Sequence, residues 1–556
     1  MSTPDSHRWL PVALFGAILL LLCLLRFPLP HDPAVRDVDE SVSALIASNW
    51  LAGGVPYRDA IDQRGPVTYA LYAAVFLIAG DGAMGAVHGA LLLLIFLGCW
   101  LTWKLARSLA PESAGTSEAA LAAVLLAFAS FTYRPSQLLA FHTEWPIVVF
   151  STLGMLLTWR ATRPGRSAPV RDLALAGAAF GLAFLSKQPA LFDGLAAGLF
   201  VLWLVARRPE PVLPAAFRLG GALAGGFLAT VALAAGYFAL HGALGDFYLY
   251  FWSYNVEHYT AVVPVAERWA ALNPFGHRRH YLTANPWLFA GVVAAAGFAL
   301  WGRFRRSPRT NEPGSRALVL LWFAAAYFGA SYSGRNFGHY FIQILVPACL
   351  LTADVTMTLW RAGGRLIRTV SPDRGWLLRG AVLLLGLGGL VFSLRTYGGE
   401  ASILRLGEKA KVDPTLERLL GRVQELSRPD DTIFVWGYYP EIYLLAPRRP
   451  ASRYSNTNYL TGMLPWENHA PGLDTSEHIV PGAWDILVRE LTAARPPLVI
   501  DTVPGNHRHY RKYPIAAYPP LAEFLARGYR RVAPVLDERG RPYFDLYVRN
   551  DSAAQP

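Results

Sequence analysis

Asp37-Val38-Asp39-Glu40 is the stretch from which the rest of the chain can be read. It follows the first long apolar run, Trp9 to Leu25, and a short breaker, Pro28-Leu29-Pro30. A run of that length crosses most of a bilayer. The carboxylates of Asp37, Asp39 and Glu40 then fall where a membrane span meets water. Ionisable groups at that depth are costly unless they have a partner or a task. The bland alternative is a solvated cluster of loop charges.

Composition sets the class. The chain has 556 residues, of which 53% are hydrophobic and 16% charged, and its mean hydropathy is +0.28. Soluble domains carry roughly 25% charged residues. The chain is therefore expected to be a polytopic α-helical membrane protein with length to spare for a soluble domain. Its net charge of +12 would suggest nucleic acid in a cytosolic protein. Here Arg residues gather in short loops between apolar runs, as the positive-inside rule requires, and no nucleic-acid-binding motif is present. Cys23, Cys99 and Cys349 all lie in apolar runs and imply no disulfide framework. No small-residue cleavage site follows Leu25, so the first run reads as an uncleaved span.

Apolar runs at 9–27, 84–106, 117–133, 144–159, 173–189, 190–206, 219–240, 286–302, 316–333, 339–358 and 376–394 predict about eleven transmembrane helices. Loops with Lys104 and Arg107, with Arg160 to Arg171, with Arg303 to Arg316 and with Arg361 to Arg374 read as cytoplasmic. The N-terminus is then cytoplasmic and the C-terminus outside. The opposite loops include 28–83 and 241–285. In the first, Glu40 to Leu51 is expected to form a surface helix stopped by Gly53-Gly54. Residues 67–79 are too short for a span and read as interfacial or re-entrant. In the second, Tyr248, Tyr250, Phe251, Trp252, Tyr254 and Tyr259 read as an interfacial belt, or as a platform that stacks on a sugar or isoprenoid.

Beyond Leu394 charge, Pro and Tyr become frequent. Residues 395–556 are expected to form an extracytoplasmic α/β domain, after a membrane unit at 1–394. Asp413-Pro414 caps a helix with Leu416, Leu419, Leu420, Val423 and Leu426 on one face. Strands are expected at Thr432–Trp436, Leu498–Thr502, Arg531–Leu536 and Tyr543–Val548, and helices at Trp484–Ala494 and Leu521–Arg527. No phosphate loop and no metal-spaced His/Cys set marks this part, so no catalysis is assigned to it.

The loop as a whole, VDESVSALIASNWLAGGVPYRDAIDQRGPVTYALYA (38–73), resembles the first extracytoplasmic loop of GT-C glycosyltransferases of family 39, the group of the protein mannosyltransferases and lipid A aminoarabinose transferases. GLAFLSKQPAL (181–191), SGRNFGHYFIQILVPACL (333–350) and VWGYYPEIYLLAPRRPASRY (435–454) are similar to further stretches of that group. The resemblance implies a GT-C fold in the bacterial cytoplasmic (inner) membrane. It also implies a sugar donor on a polyprenyl phosphate, transfer at the outer face, and a glycan, lipid or protein acceptor for the cell envelope. By position it makes Asp39 and Glu40 the family's Asp-Glu pair, with Glu144 the acidic residue of the second outer loop. Where aminoarabinose transferases have Glu-Lys-Pro-Pro, this chain has Gln63-Arg64-Gly65-Pro66, which keeps the cation and loses the carboxylate.

The chemistry can be argued from the residues themselves. A glycosyl phosphate needs cations for its departing charge, and the attacking hydroxyl needs a carboxylate to take its proton. Asp39 is the expected base, ionised beside Arg36 and Arg58. Arg64, Lys187, Arg335 and His339 are expected on the donor phosphate. Asp39, His142 and Glu144 together offer mixed N/O ligands for a divalent metal. Each has a plainer role: an Asp39 pair with Arg36 or Arg58, snorkelling by Lys187, loop packing by Arg335 and His339, and helix capping by His142 and Glu144. Three rival functions remain. A lipid or solute transporter would want ionisable residues at the midplane, where only Asp193 and Asp354 stand. An O-antigen ligase or polymerase shares lipid-linked donors but favours a late outer loop. A non-catalytic receptor would present the 395–556 domain.

Overall fold

The computed structural model describes residues 6–26, 35, 37–110, 115–132, 138–163, 165, 168–207, 211–275, 281–304, 315–369, 372–398, 413–464 and 472–551. Arg36 and Arg305 lie outside them. Helices fall on every expected apolar segment: Ser6–Arg26, Met84–Leu109, Gly115–Ala129, Glu144–Thr162, Pro169–Phe184, Leu191–Val205, Val212–Leu240, Pro286–Phe304, Ser315–Ser331, Leu345–Thr369 and Pro372–Gly398. Among the described residues five helical stretches are long and apolar enough to cross a membrane: Met84–Leu109, Gln188–Val205, Val212–Leu240, Gly338–Arg368 and Asp373–Ser393. The protein is a polytopic α-helical membrane protein with a small C-terminal sheet domain.

The first long loop is built by its own signals. Asp37 caps helix Val38–Leu51 by accepting the Asp39 N–H at 3.0 Å, which satisfies one of the helix's unpaired donors. Gly53, at φ 93°, ends it. The expectation of a surface helix is corrected: Glu40 to Ala47 are all buried. Ala44 and Ala47 belong to the core of the membrane helices. Leu45 packs with Leu416, Ile442 and Tyr443 of the C-terminal domain. The 67–79 segment is a short helix, Pro66–Ala79, with Pro at its start.

The C-terminal domain opens with helix Pro414–Leu426, capped by Asp413 as expected. Its strands are β1 (Thr432–Trp436), β2 (Arg449–Pro450), β3 (Leu498–Asp501), β4 (Tyr529–Leu536) and β5 (Pro542–Arg549), in the order β2-β1-β3-β5-β4. β1 is parallel to β2 and β3, and β5 is antiparallel to β3 and β4. Helices Ala483–Ala494 and Pro519–Gly528 complete it.

The second long loop also departs from its reading. Leu249–Thr260 winds as a π-helix. Tyr250, Phe251 and Tyr254 are buried in a core that includes Tyr57 and Phe238 on one side and Trp436, Tyr459 and Leu487 on the other. They join the C-terminal domain to the membrane helices. Only Tyr248 and Trp252 of that aromatic group are exposed, so the belt reading fails for its buried half.

Candidate active site

Asp39 sits in the first turn of its helix with three partners. Arg64 pairs with its Oδ1. His142 Nδ1 lies 3.6 Å and His339 Nε2 3.8 Å from Oδ2. Arg64 also donates to Asp62 Oδ2 at 2.7 Å, and Tyr69 donates to the same carboxylate. The guanidinium is thus a bridge between two acids. Arg58, expected beside Asp39, instead pairs with Asp59 at 2.7 Å and donates to the His241 carbonyl.

Burial alone would raise the Asp39 carboxyl. Arg64 foremost, then His142 and His339, hold it well below the usual carboxylate range instead. Burial also opposes charge on His142, but the nearby carboxylates of Asp39 and Asp37 raise the imidazole to about 9.

Glu40 does not face this group. It is fully buried, accepts the Phe141 N–H at 2.6 Å and meets His88 Nε2 at 3.2 Å. It ties the first loop to the second and so sets His142, one residue beyond Phe141, against Asp39. Glu144 is the partner of Lys187, whose Nζ lies 2.5 Å from Oε1 and 3.5 Å from the centre of the Tyr340 ring. Lys187 is therefore held inside the protein rather than snorkelling.

The metal set also changes. The ligand atoms of Asp39, His142 and His339 lie within 4.8 Å of one another, and the two imidazoles stack at 4.1 Å. His339 stands where Glu144 was expected. A carboxylate with two imidazoles suits a divalent transition ion.

Arg64 and Lys187 are brought together by backbone. The Gly65 N–H donates to the Ser186 carbonyl and the Val67 N–H to the Leu185 carbonyl, both at 3.1 Å. A cavity of about 260 Å³ opens between these elements, lined by Asp37, Asp39, Arg64, Lys187 and His339 among others. Arg335 is not on its wall. It lies 4.0 Å from the centre of the Tyr259 ring and donates to the Tyr259 carbonyl at 2.6 Å, and Tyr259 shares a hydrogen bond with Tyr340. Tyr259 and Tyr340 thus stand between Arg335 and the cavity that both of them line.

Three wall residues escaped the sequence reading. Asp37 was quoted but given no place in the site; burial, then the charge of Asp39, push its carboxyl up to about 7. Tyr438 and Arg508 come from the C-terminal domain. Tyr438 lies in the quoted stretch 435–454, and Arg508 in the dense run of cations Asn506-His507-Arg508-His509-Tyr510-Arg511-Lys512.

Residues 63–234 match the family described as Dolichyl-phosphate-mannose-protein mannosyltransferase. No curated protein matches the chain by sequence. Among solved structures, ArnT from Cupriavidus metallidurans bound to undecaprenyl phosphate is similar at TM-score 0.58 and 14% identity, over 99% of each chain. ArnT in the apo state gives TM-score 0.59 and 15% identity over 98% of each chain. The Archaeoglobus fulgidus oligosaccharyltransferase tethered to an acceptor peptide gives 0.55 and 14% identity, over 95% of this chain and 73% of that one. With its loop-borne site beneath a C-terminal domain and these likenesses over nearly its whole length, the chain has the fold of the GT-C glycosyltransferases.

Proposed function

We propose that this protein transfers a sugar from a polyprenyl-phosphate donor to an envelope acceptor at the outer face of a bacterial cytoplasmic membrane. The carrying observation is the single cavity that joins one ionised carboxylate, Asp39, to Arg64 and Lys187. The family match and the ArnT structure with its bound lipid phosphate support the donor class. The Arg-rich loops support a cytoplasmic N-terminus and an outer C-terminal domain.

The chemistry follows from competition for Arg64. Without donor, Arg64 neutralises Asp39 and leaves it a weak base. A donor phosphate in the cavity draws the guanidinium toward its own oxygens. Asp39 then loses its main cation and gains basicity. The acceptor hydroxyl gives its proton to Asp39 as its oxygen bonds the anomeric carbon. The bond from that carbon to the phosphate oxygen breaks, and the electron pair leaves with the phosphate, where Arg64 and Lys187 meet the charge. A divalent ion on Asp39, His142 and His339 would add a Lewis acid for a phosphate oxygen.

The test is transfer from a radiolabelled polyprenyl-phosphate sugar pool by purified protein in proteoliposomes. Wild type should transfer. D39N should lose about 10²- to 10⁴-fold, the usual worth of a general base, while binding undecaprenyl phosphate as before. A wild-type protein that neither binds the lipid nor transfers overturns the reading. A fully active D39N overturns the role of Asp39.

A further inference from the structure

The C-terminal domain puts one guanidinium on the wall of the cavity, and it does so with unusual backbone. Asn506, Arg508 and His509 have φ of 52°, 48° and 66°. Left-handed conformations are unfavourable for side chains such as those of Arg and His, and such departures concentrate at binding sites and active sites. The segment is pinned just ahead of Arg508. The Gly505 N–H donates to the Tyr543 carbonyl at 2.8 Å, and the His507 ring stacks on Tyr439 at 3.7 Å. Arg508, the next residue, lines the cavity that holds Asp39, Arg64 and Lys187.

Its hydrogen bonds are one-sided. Nη2 donates to Glu441 Oε1 at 2.5 Å; Nη1 donates to Glu441 Oε2 at 3.1 Å and to the Tyr438 carbonyl at 2.6 Å. A guanidinium has five N–H donors, so this end-on fork with Glu441 leaves the side-on edge, Nε and the second Nη2 hydrogen. That edge has the spacing of two oxygens of a phosphate or carboxylate. Glu441 is buried and pairs with the guanidinium at 2.5 Å. An arginine needed only to pair with Glu441 could do so from ordinary backbone and away from the cavity.

We propose that Arg508 is a substrate-binding residue, which grips an oxyanion of the substrate through its Nε/Nη2 edge while Glu441 positions it. The proposal rests on the cavity being a glycosyl-transfer site. It gives the C-terminal domain a direct part in recognition. The oxyanion belongs either to the lipid-linked phosphate of the donor or to an anionic acceptor that arrives from the side of the domain.

The test uses the full-length protein with R508K and E441Q. Two quantities are read: the affinity for undecaprenyl phosphate by native mass spectrometry, and the apparent KM for a membrane-lipid extract as acceptor. R508K keeps the charge and loses the fork, so one of the two should weaken about 10-fold or more, the cost of a charge-assisted hydrogen bond. A weaker undecaprenyl phosphate complex assigns the oxyanion to the donor. An unchanged lipid affinity with a raised acceptor KM assigns it to the acceptor. E441Q keeps Arg508 but loosens the anchor that positions it, so the same quantity should weaken, by less than in R508K, while the other quantity stays at its wild-type value even where the melting temperature falls. A purely structural pair predicts instead that both variants lose stability and both quantities together. That result, or wild-type values for R508K in both readouts, overturns the proposal. A wild type without lipid binding or transfer overturns the functional reading along with it.

Discussion

Asp39 and Glu40 are neighbours with opposite tasks, and helix geometry separates them. Successive residues on a helix point about 100° apart. Asp39 meets Arg64 and the imidazoles, while Glu40 turns inward to the Phe141 N–H and His88. E40Q should therefore behave unlike D39N. It leaves the base in place but weakens a buried charge-assisted bond, at a cost of about 1–3 kcal/mol. The melting temperature should fall, and the transfer rate per folded molecule should stay within about 10-fold of wild type, well short of the loss expected for D39N. A folded E40Q with wild-type melting and no turnover would return Glu40 to the chemistry. The sequence showed that carboxylates and cations would gather at span ends, because such positions are costly without a purpose. It could not show which carboxylate faces which partner, since Phe141 lies 101 residues away from Glu40.

At the level of elements, Gly65 carries more of the site than its size suggests. A Cβ there would come within 1.9 Å of the Leu185 carbonyl. Only glycine lets residues 65–67 lie along 185–186, and that contact sets Arg64 beside Lys187. G65A should push the two segments apart and lower transfer at least about 10-fold while the protein still inserts into the membrane. Wild-type transfer by G65A would show that the contact does not position the cations. The end of β3 makes a separate prediction. Asp501 stands opposite Asp545 across the β3–β5 pair, and burial first, then that neighbour, push its carboxyl up to about 7 from 3.8. A carboxyl raised in the folded state favours folding below its unfolded pKa and loses that contribution as pH climbs through its folded one. Between pH 4 and pH 8 the domain should therefore lose on the order of 4 kcal/mol from this group. D501N can still accept the Val503 N–H and should match wild type at pH 4 yet exceed it at pH 8. Hydrogen exchange at β3 measures the gap; a gap that closes as pH rises contradicts the assignment. The strand itself was visible in its apolar run, but the facing acid was not, because register depends on the partner strand.

For the molecule as a whole, the boundary near Leu394 that composition marks is not a boundary in the core. Composition records where chain polarity changes, and the last apolar helix, Pro372–Gly398, ends close to that point. It is blind to aromatic residues that leave one part to pack on the other. Tyr57, Tyr69, Phe247, Tyr250 and Tyr254 share one buried cluster with Trp436, Tyr454, Tyr459 and Leu491. The Ile61 N–H donates to the Arg453 carbonyl, and Tyr459 donates to Gln63 at 2.6 Å. Buried apolar surface contributes roughly 25 cal/mol per Å², so parting these faces should cost both pieces. Residues 413–551 produced alone should bind a hydrophobic dye, melt broadly and precipitate. A chain ended after Gly398 should insert but lack Tyr438 and Arg508 from the cavity wall, and should lose transfer outright. Adding the two pieces together should restore part of the activity, because the joining surface is large and its partners are specific. The deciding measurement is transfer by the truncated chain, with and without the separate domain. Full activity of the truncated chain alone would mean that the membrane helices hold the whole site and that the domain above them only shields it.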